Sequence, residues 1–209
     1  MNNTVRRLIQ NFRDFPGIGP RQANRFVYYL LSREPAYAKM LANDLLALSS
    51  SVRQCNTCYR FSPTPEGSNP STITCDLCGD ENRDSSTLLI IEKDVDLESV
   101  RKSGAYQGMF FVLGGLLPIL EPNPASIIRS QELLSLVRER LKTSALKEII
   151  LALSANTEGD HTAEYLRGLL TPLVGNDVRV SVLGRGLSTG TELEYSDPDT
   201  LRSALKNRN

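Results

Sequence analysis

The chain has 209 residues, of which 40% are hydrophobic, an ordinary proportion for a globular protein with an apolar core. This composition excludes a disordered or fibrous chain, and the equal numbers of basic and acidic residues argue against an indiscriminate nucleic-acid coat. The longest apolar stretch, Met109 to Leu120, is too short to span a bilayer, so we expect a cytoplasmic protein without a membrane partner. In a reducing cytoplasm, the four cysteines are expected to bind metal or catalyse a reaction rather than form disulfides.

Charge is unevenly distributed along the chain. The first sixty residues hold nine basic residues against three acidic ones, a net charge of +6, so the remainder carries −6. A basic N-terminal part suggests a surface for a polyanion, and an acidic remainder suggests a surface for a protein partner. The alternative is a chance asymmetry without function.

Three stripes of apolar residues at helical spacing predict three helices in the N-terminal part. The stripes are Val5, Leu8, Ile9 and Phe12; then Phe26, Val27, Leu30 and Leu31; then Leu41, Leu45, Leu48 and Val52. Between the first two stripes, residues 15–20 read Phe-Pro-Gly-Ile-Gly-Pro. Two glycines and two prolines predict a tight turn, and hence a short helical hairpin.

The hairpin turn has the features of a phosphate-binding site. Gly17 and Gly19 lack a Cβ, so backbone N–H groups at the start of the next helix can approach a phosphate, which the helix dipole also favours. Arg21 and Arg25 stand one turn apart on the same helix face. We expect these four residues to hold the DNA backbone without reading its sequence, because phosphates carry no base identity. An ordinary helix–helix connection is the alternative.

Two Cys-x-x-Cys pairs follow the predicted helices. Cys55 and Cys58 form the first pair and Cys75 and Cys78 the second, with sixteen residues between the pairs. Matched pairs at this separation are typical of a structural zinc site, in which four thiolates fill all tetrahedral positions. We therefore predict one structural Zn²⁺ per chain. A redox role for one pair is the competing interpretation.

From residue 88 onwards, strand and helix signals alternate. Apolar runs at residues 88–91, 109–113, 149–153 and 178–183 predict buried strands, separated by helices near Leu97 and over residues 130–141 and 163–170. This order predicts a mostly parallel sheet with flanking helices, whose binding residues lie at the carboxyl ends of the strands. The segment from Glu192 to Asn209 predicts a short strand and helix that pack on a sheet of this chain or of a neighbour.

Together these motifs closely resemble the RecR family of bacterial recombination mediators. The resemblance covers essentially the whole chain and rests on the hairpin turn, the four-cysteine finger, the strand ending at Glu92, the loop Thr157-Glu158-Gly159 and the segment from Arg185 to Tyr195. It implies an α/β multidomain protein with a helix-hairpin-helix region (1–53), a zinc finger (54–84), a Toprim domain (85–185) and a C-terminal strand-helix arm (186–209). The chain departs from the family in a longer loop between the cysteine pairs and in Ser188, where proline is usual.

The resemblance also implies a function and partners. It implies a homotetrameric ring that encircles DNA and works with RecO, and often RecF, to load recombinase onto gapped DNA, with single- and double-stranded DNA as ligands. The acidic positions at which the family meets RecO correspond to Glu92, Asp96 and Glu158.

An enzyme is the alternative function, because Toprim domains catalyse reactions in topoisomerases, primases and some nucleases. Those enzymes combine a strand-end glutamate with an Asp-x-Asp-x-x-Gly loop, since several carboxylate oxygens are needed to hold Mg²⁺. Here residues 154–159 read Ser-Ala-Asn-Thr-Glu-Gly, without either aspartate. We therefore predict a protein without catalytic residues, in which Glu92 and Glu158 retain at most a weak Mg²⁺ site. A Mg²⁺-dependent nuclease or primase stays open as the alternative.

Overall fold

The structure is a computed structural model, and it describes residues 3–64, 73–120, 126–143, 146–187, 189–190 and 192–206. Ser188 and residues 65–72 of the long loop, where the chain departs from the RecR pattern, lie outside the described residues. The polypeptide divides into two compact units, residues 1–53 and residues 54–209. No helix among the described residues is both long enough and apolar enough to cross a membrane.

Residues 3–51 form the three helices α1 (Asn3–Arg13), α2 (Pro20–Leu31) and α3 (Pro35–Ser51). Helices α1 and α2 form the predicted hairpin, in which the Phe12 and Phe26 rings meet edge to face at 5.6 Å between centroids and Val27 is buried. The structure differs from the predicted third stripe at Val52, which begins strand β1 (Val52–Gln54). Its backbone is extended (φ −127°, ψ 134°), a conformation that suits a β-branched residue.

The second unit contains a four-stranded, entirely parallel sheet. In chain order its elements are β2 (Phe61–Pro63), α4 (Asp76–Gly79), β3 (Asp84–Ile91), α5 (Asp94–Ser103), β4 (Gly108–Val112), α6 (Ser130–Thr143), β5 (Glu148–Ala152), α7 (Thr157–Val174), β6 (Arg179–Val182) and α8 (Pro198–Lys206). The strand order is β4-β3-β5-β6, and each neighbouring pair is parallel. The predicted α/β architecture is confirmed, and the carboxyl end of β3 lies between those of β4 and β5.

Helices and the cysteine region cover both faces of this sheet, which explains why its strands read as continuous apolar runs. One face packs against α6 and α7 in a buried cluster that includes Leu88, Phe111, Leu133 and Leu166. The other face packs against α5 and the cysteines in a cluster that includes Leu89, Phe110, Leu97 and Cys58. The cysteine region therefore shares a core with the sheet.

The C-terminal segment is helical where the structure describes it. Helix α8 begins as predicted, because the Asp197 carboxylate accepts a hydrogen bond from the Thr200 N–H at 2.9 Å and Pro198 occupies the first helical position. The strand expected at Glu192 is not formed by the described residues, and Leu193–Tyr195 form a short 3₁₀ turn instead. A strand needs a partner for its backbone N–H and C=O groups, and the helical and turn geometry satisfies those groups locally.

Candidate metal centre and nucleic-acid interface

The four cysteine side chains converge, although many residues separate the two pairs. Their Sγ atoms all lie within 4.8 Å of one another, and the sulfurs of Cys58 and Cys75 are 3.5 Å apart. Cys55, Cys58 and Cys75 are buried, and Cys78 is partly buried. All four are free thiols, so together they can hold one metal ion.

Each cysteine pair is shaped by a backbone turn that starts at its first cysteine. The Tyr59 N–H donates to the Cys55 carbonyl at 3.0 Å, and the Gly79 N–H donates to the Cys75 carbonyl at 3.0 Å. Tyr59 adopts a left-handed backbone (φ 61°), which is unusual for a residue with a bulky side chain. Its ring packs edge to face on Phe111 at 5.5 Å, so a core contact holds the first turn in this conformation.

The four thiols alter one another's pKa values. Hydrogen bonding with Cys58, and then with Cys75 and Cys78, lowers the pKa of Cys55. Hydrogen bonding with its three cysteine neighbours raises the pKa of Cys78, because a further thiolate would face negative charge already present. A divalent cation resolves this conflict by stabilising all four thiolates at once.

Two backbone N–H groups donate hydrogen bonds that fasten the cysteine region to strand β4 and helix α5. The Val112 N–H, at the end of β4, donates to the Cys58 carbonyl at 2.8 Å. The Phe61 N–H, just after the first cysteine pair, donates to the Asp94 carboxylate at the start of α5 at 2.7 Å. The position of the cysteine cluster is thus linked to strand β4 and helix α5.

A buried arginine makes a second link between the same elements. Arg60 is 6% exposed, and its guanidinium pairs with Asp76 of α4 at 2.8 Å and with Glu98 of α5 at 3.4 Å. Arg101 of α5 pairs with the same two acids, at 3.1 Å and 3.7 Å. Because the guanidinium of Arg60 is removed from water, its two acidic partners fix the side chain between α4 and α5.

The hairpin between α1 and α2 contains a type II turn. The Ile18 N–H donates to the Phe15 carbonyl at 3.1 Å, with Pro16 and Gly17 at the central positions. Gly17 has φ 77°, which a type II turn requires at its third residue and which strongly favours glycine. Gly19 has φ −80°, so a side chain would be tolerated by the backbone, and a Cβ there would meet only open space. Because Gly19 has no side chain, the start of α2 is accessible.

The start of α2 presents unsatisfied N–H groups beside two exposed arginines. Gly19 provides no side-chain cap, and in any α-helix the N–H groups of the first turn, here those of Arg21 and Gln22, have no carbonyl partner within the helix. Arg21 and Arg25 are both exposed, and Arg25 contacts the Gln22 side chain at 3.3 Å. This arrangement can bind an anion through backbone N–H groups and guanidinium groups together.

The three acidic residues assigned to a protein partner lie in different surroundings. Glu92 follows β3 and is 5% exposed, Asp96 lies partly buried in the first turn of α5, and Glu158 lies exposed in the first turn of α7. Because β3 and β5 are adjacent and parallel, Glu92 and the start of α7 lie at the same edge of the sheet. The Ser154 hydroxyl, which follows β5, donates to the Glu92 carboxylate at 2.5 Å.

Comparison with known proteins identifies the family. Three family models match this chain: RecR, helix-hairpin-helix, over residues 5–48; Toprim domain, over residues 86–184; and RecR, C-terminal, over residues 186–209. A recombination protein RecR from Chloroflexus aggregans is 37% identical over 204 residues, which cover 98% of this chain and 92% of the relative. The chain belongs to the RecR family. Its relatives in Bifidobacterium adolescentis (35% identical, covering 99% of this chain and 96% of the relative) and Phocaeicola vulgatus (34% identical, covering 98% and 92%) carry the same name, so this RecR-family chain has a role in recombination.

Side chains in and just after the loop that follows β5 make hydrogen bonds within this RecR-family chain. The Asn156 side chain accepts a hydrogen bond from the Gly159 N–H at 2.8 Å and caps α7. A Cβ on Gly159 would lie 1.9 Å from the Ser154 carbonyl oxygen, so only glycine fits there. The loop positions that carry aspartates in the catalytic pattern hold a hydroxyl donor at Ser154 and a helix cap at Asn156.

Sequence reasoning missed three side chains that shape this RecR-family site: Arg60, Lys93 and Ser154. Arg60 joins the finger to α5, while Lys93 and Ser154 both contact Glu92. Of these three contacts, only that of Lys93 could have been expected from the sequence, because Lys93 directly follows the strand-end Glu92. Arg60 lies 38 residues from its partner Glu98, and Ser154 lies 62 residues from its partner Glu92. No periodic pattern in the sequence reveals contacts over such separations.

Proposed function

We propose that this RecR-family chain is a non-enzymatic, cytoplasmic DNA-binding clamp that helps load recombinase onto gapped or single-stranded DNA. The observation that carries the proposal is the exposed start of α2, where Arg21 and Arg25 flank N–H groups that no side chain caps. These donors match phosphate oxygens, and they recognise no base, which suits a protein that must act at any sequence.

The proposed organisation has four parts: a helix-hairpin-helix region (1–53), a zinc finger (54–84), a Toprim domain (85–185) and a C-terminal arm (186–209). The division of the chain into compact units after Arg53 supports the first boundary. The finger and the Toprim domain share one core, so we regard the second boundary as a change of architecture within a single folding unit.

We further propose that Cys55, Cys58, Cys75 and Cys78 hold one structural Zn²⁺. Four thiolates are a soft donor set, and the closed tetrahedral arrangement leaves no position for water or substrate. Zinc suits this set because it has no redox chemistry and accepts tetrahedral geometry without strain.

A homotetrameric ring is part of the proposal. Helix α3 has no buried residue although it carries Met40, Leu45, Leu46 and Leu48, which are between 53% and 71% exposed. Apolar surface of this extent on one helix is typical of a protein–protein interface. In a ring, several hairpins would bind the same DNA, so their weak phosphate contacts would combine into one strong interaction. A chain of zero net charge could then bind a polyanion.

The acidic edge of the sheet is the proposed surface for RecO, and for RecF where it is used. Glu158 is exposed and therefore accessible to a basic partner, whereas Asp96 is only partly exposed. Glu92 is buried and would contribute mainly by fixing the loop between β3 and α5. This surface belongs to the acidic remainder of the chain, whereas the proposed DNA surface belongs to the basic N-terminal part.

The double variant Arg21→Glu/Arg25→Glu tests the DNA-binding proposal. We expect it to fold normally, because both side chains are exposed, and to lose DNA binding, with any residual affinity depending less steeply on salt by about two units of slope. Fluorescence anisotropy on gapped DNA across a salt series measures both quantities.

Arg6→Glu/Arg7→Glu on α1 is the matched control, since it makes the same charge change at exposed positions of the same unit. It should weaken binding far less. Equal losses in the two variants would mean that overall charge rather than the hairpin binds DNA. Cleavage or synthesis by the purified wild type with Mg²⁺ would instead favour the nuclease or primase alternative.

A further inference from the structure

Glu92 stands where a catalytic Toprim domain places its metal-binding glutamate, at the carboxyl end of β3, but both of its carboxylate oxygens are already engaged. Oε1 lies 2.5 Å from the Lys93 ammonium, and Oε2 accepts the hydrogen bond from the Ser154 hydroxyl. The residue is only 5% exposed. Burial by itself would raise the pKa of the Glu92 carboxyl, but the Lys93 and Ser154 hydrogen bonds outweigh it and hold that pKa below its usual value.

The neighbouring acids are engaged in the same way. Asp94 accepts the hydrogen bond from the Phe61 N–H at 2.7 Å, and Asp96 accepts one from the Lys93 N–H at 3.0 Å, which caps α5. The carboxylates that follow β3 therefore fasten the finger and the helix start. None of them is paired with a second carboxylate on the loop after β5, which offers hydroxyl and amide groups instead.

This donor set does not fit Mg²⁺. The ion requires near-octahedral oxygen ligands, usually one or two carboxylates together with water or phosphate oxygens. Among the described residues, three or more His, Cys, Asp or Glu side chains come within common reach of a metal only at the four cysteines, so Glu92 lacks two carboxylate neighbours like the aspartates of the catalytic pattern. The two aspartate positions of the catalytic pattern hold Ser154, which donates a hydrogen bond to Glu92, and Asn156, which caps α7, and the Lys93 ammonium lies against the Glu92 carboxylate.

We propose that Lys93 is a tethered counter-ion that takes the electrostatic place of the Toprim metal, neutralising Glu92 and closing this edge of the sheet to divalent cations. A buried carboxylate is costly unless it is both hydrogen-bonded and paired with a cation; Ser154 supplies the hydrogen bond to Glu92, and Lys93, whose side chain is 61% exposed, supplies the charge. Lys93 supplies this positive charge from the adjacent residue, whereas Mg²⁺ would first have to lose some of its tightly held water. The inference concerns Glu92 alone and does not depend on the proposed DNA clamp.

Replacement of Lys93 by alanine should turn this position into a weak cation site. Lys93→Ala removes the ammonium but keeps the buried carboxylate, so the variant should melt at a lower temperature than the wild type in buffer without divalent cations. About 10 mM Mn²⁺ should restore much of that loss, because a ligand that binds only the folded state stabilises it. Mn²⁺ is the appropriate probe, since it prefers oxygen ligands to the thiolates of the finger.

Two variants separate a cation effect from a packing effect. Lys93→Arg keeps a positive charge and should behave like the wild type, with a melting temperature insensitive to Mn²⁺. Glu92→Gln/Lys93→Ala removes the carboxylate as well and should show no Mn²⁺ rescue. Electron paramagnetic resonance of Mn²⁺ added to the folded proteins counts bound ions directly, so the test does not rely on stability alone.

The expected result is one weak Mn²⁺ site in Lys93→Ala and none at Glu92 in the wild type. Mn²⁺ binding by the wild type that disappears in Glu92→Gln would overturn the proposal, because the ammonium would then not exclude the metal. Failure of Lys93→Ala to gain any Mn²⁺ site would overturn it equally. Either failure would leave the effect of Arg21 and Arg25 on DNA binding unchanged, so the two proposals are tested separately.

Discussion

Two glycines in helix α7 occupy very different surroundings. Gly159 lies in the first turn, where a Cβ would sit 1.9 Å from the backbone oxygen of Ser154. Gly168 lies two and a half turns further along, where a Cβ would meet nothing within 4 Å. The first glycine lets the helix start close to the loop that also positions the Glu92 contact, and the second has no steric requirement.

Gly159→Ala should therefore destabilise the protein, whereas Gly168→Ala should stabilise it. The first change forces the loop away from the helix start and should cost about 2–3 kcal/mol, as overpacking of a fixed backbone does. The second should add about 0.5–1 kcal/mol, because alanine is a better helix former than glycine. Urea denaturation of the two variants gives both free energies of unfolding. A similar loss in both would show that the contact with Ser154 is readily relieved.

At the scale of elements, the four-cysteine cluster is part of the core on which helix α5 packs. Cys55, Cys58 and Cys75 belong to the same buried cluster as Leu97 of α5 and Val112 of β4. The hydrogen bonds from Val112 and Phe61 and the ion pairs of Arg60 join the same elements. Loss of the metal should consequently loosen α5, which carries one of the proposed partner residues, and not merely the finger.

Metal removal should expose this coupling in hydrogen exchange. After treatment with a strong chelator, we expect faster amide exchange in residues 54–64, in β4 and in α5, because their shared core loses the cross-link between the two cysteine pairs. Helices α1 and α2 serve as the internal control, since they belong to the other compact unit. Unchanged protection in α5 alongside a loosened finger would contradict the coupling.

The sequence predicts elements well where the signal is local. The run Leu88 to Ile91 is apolar because both faces of the sheet are covered, so the strand was recognisable, but its polar beginning at Asp84 was not. The cysteine spacing predicted a cluster because each Cys-x-x-Cys turn is a local structure. The C-terminal strand was wrong for the described residues, since strand formation depends on a partner that periodicity cannot reveal. The Arg60–Glu98 and Glu92–Ser154 contacts depend on how the chain folds back, so they became visible only in three dimensions.

At the scale of the whole molecule, apolar surface remains exposed in both compact units. In the first unit, Leu31, Leu45, Leu46 and Leu48 are each more than half exposed. In the second, Leu193, Tyr195 and Leu205 of the C-terminal segment are between 64% and 76% exposed. Exposed apolar surface in each unit suits the proposed closed ring, in which every subunit must contact two neighbours.

Leu45→Glu/Leu46→Glu should therefore break a contact between subunits and reduce the proposed tetramer to a smaller species. Both side chains are exposed in the single chain, 59% and 71%, so the fold should survive while the interface is disrupted by buried charge. Fewer hairpins would then act together, and the affinity for gapped DNA should fall by about 100-fold through lost avidity.

Light scattering measures the size of the assembly, and fluorescence anisotropy measures its affinity for DNA. Leu120→Glu is the control, since Leu120 (92% exposed) lies in a loop outside both α3 and the C-terminal segment, so its replacement should change neither quantity. A wild-type protein that stays monomeric at micromolar concentration with DNA present would refute the ring. A double variant that remains tetrameric would show that α3 is not part of the interface.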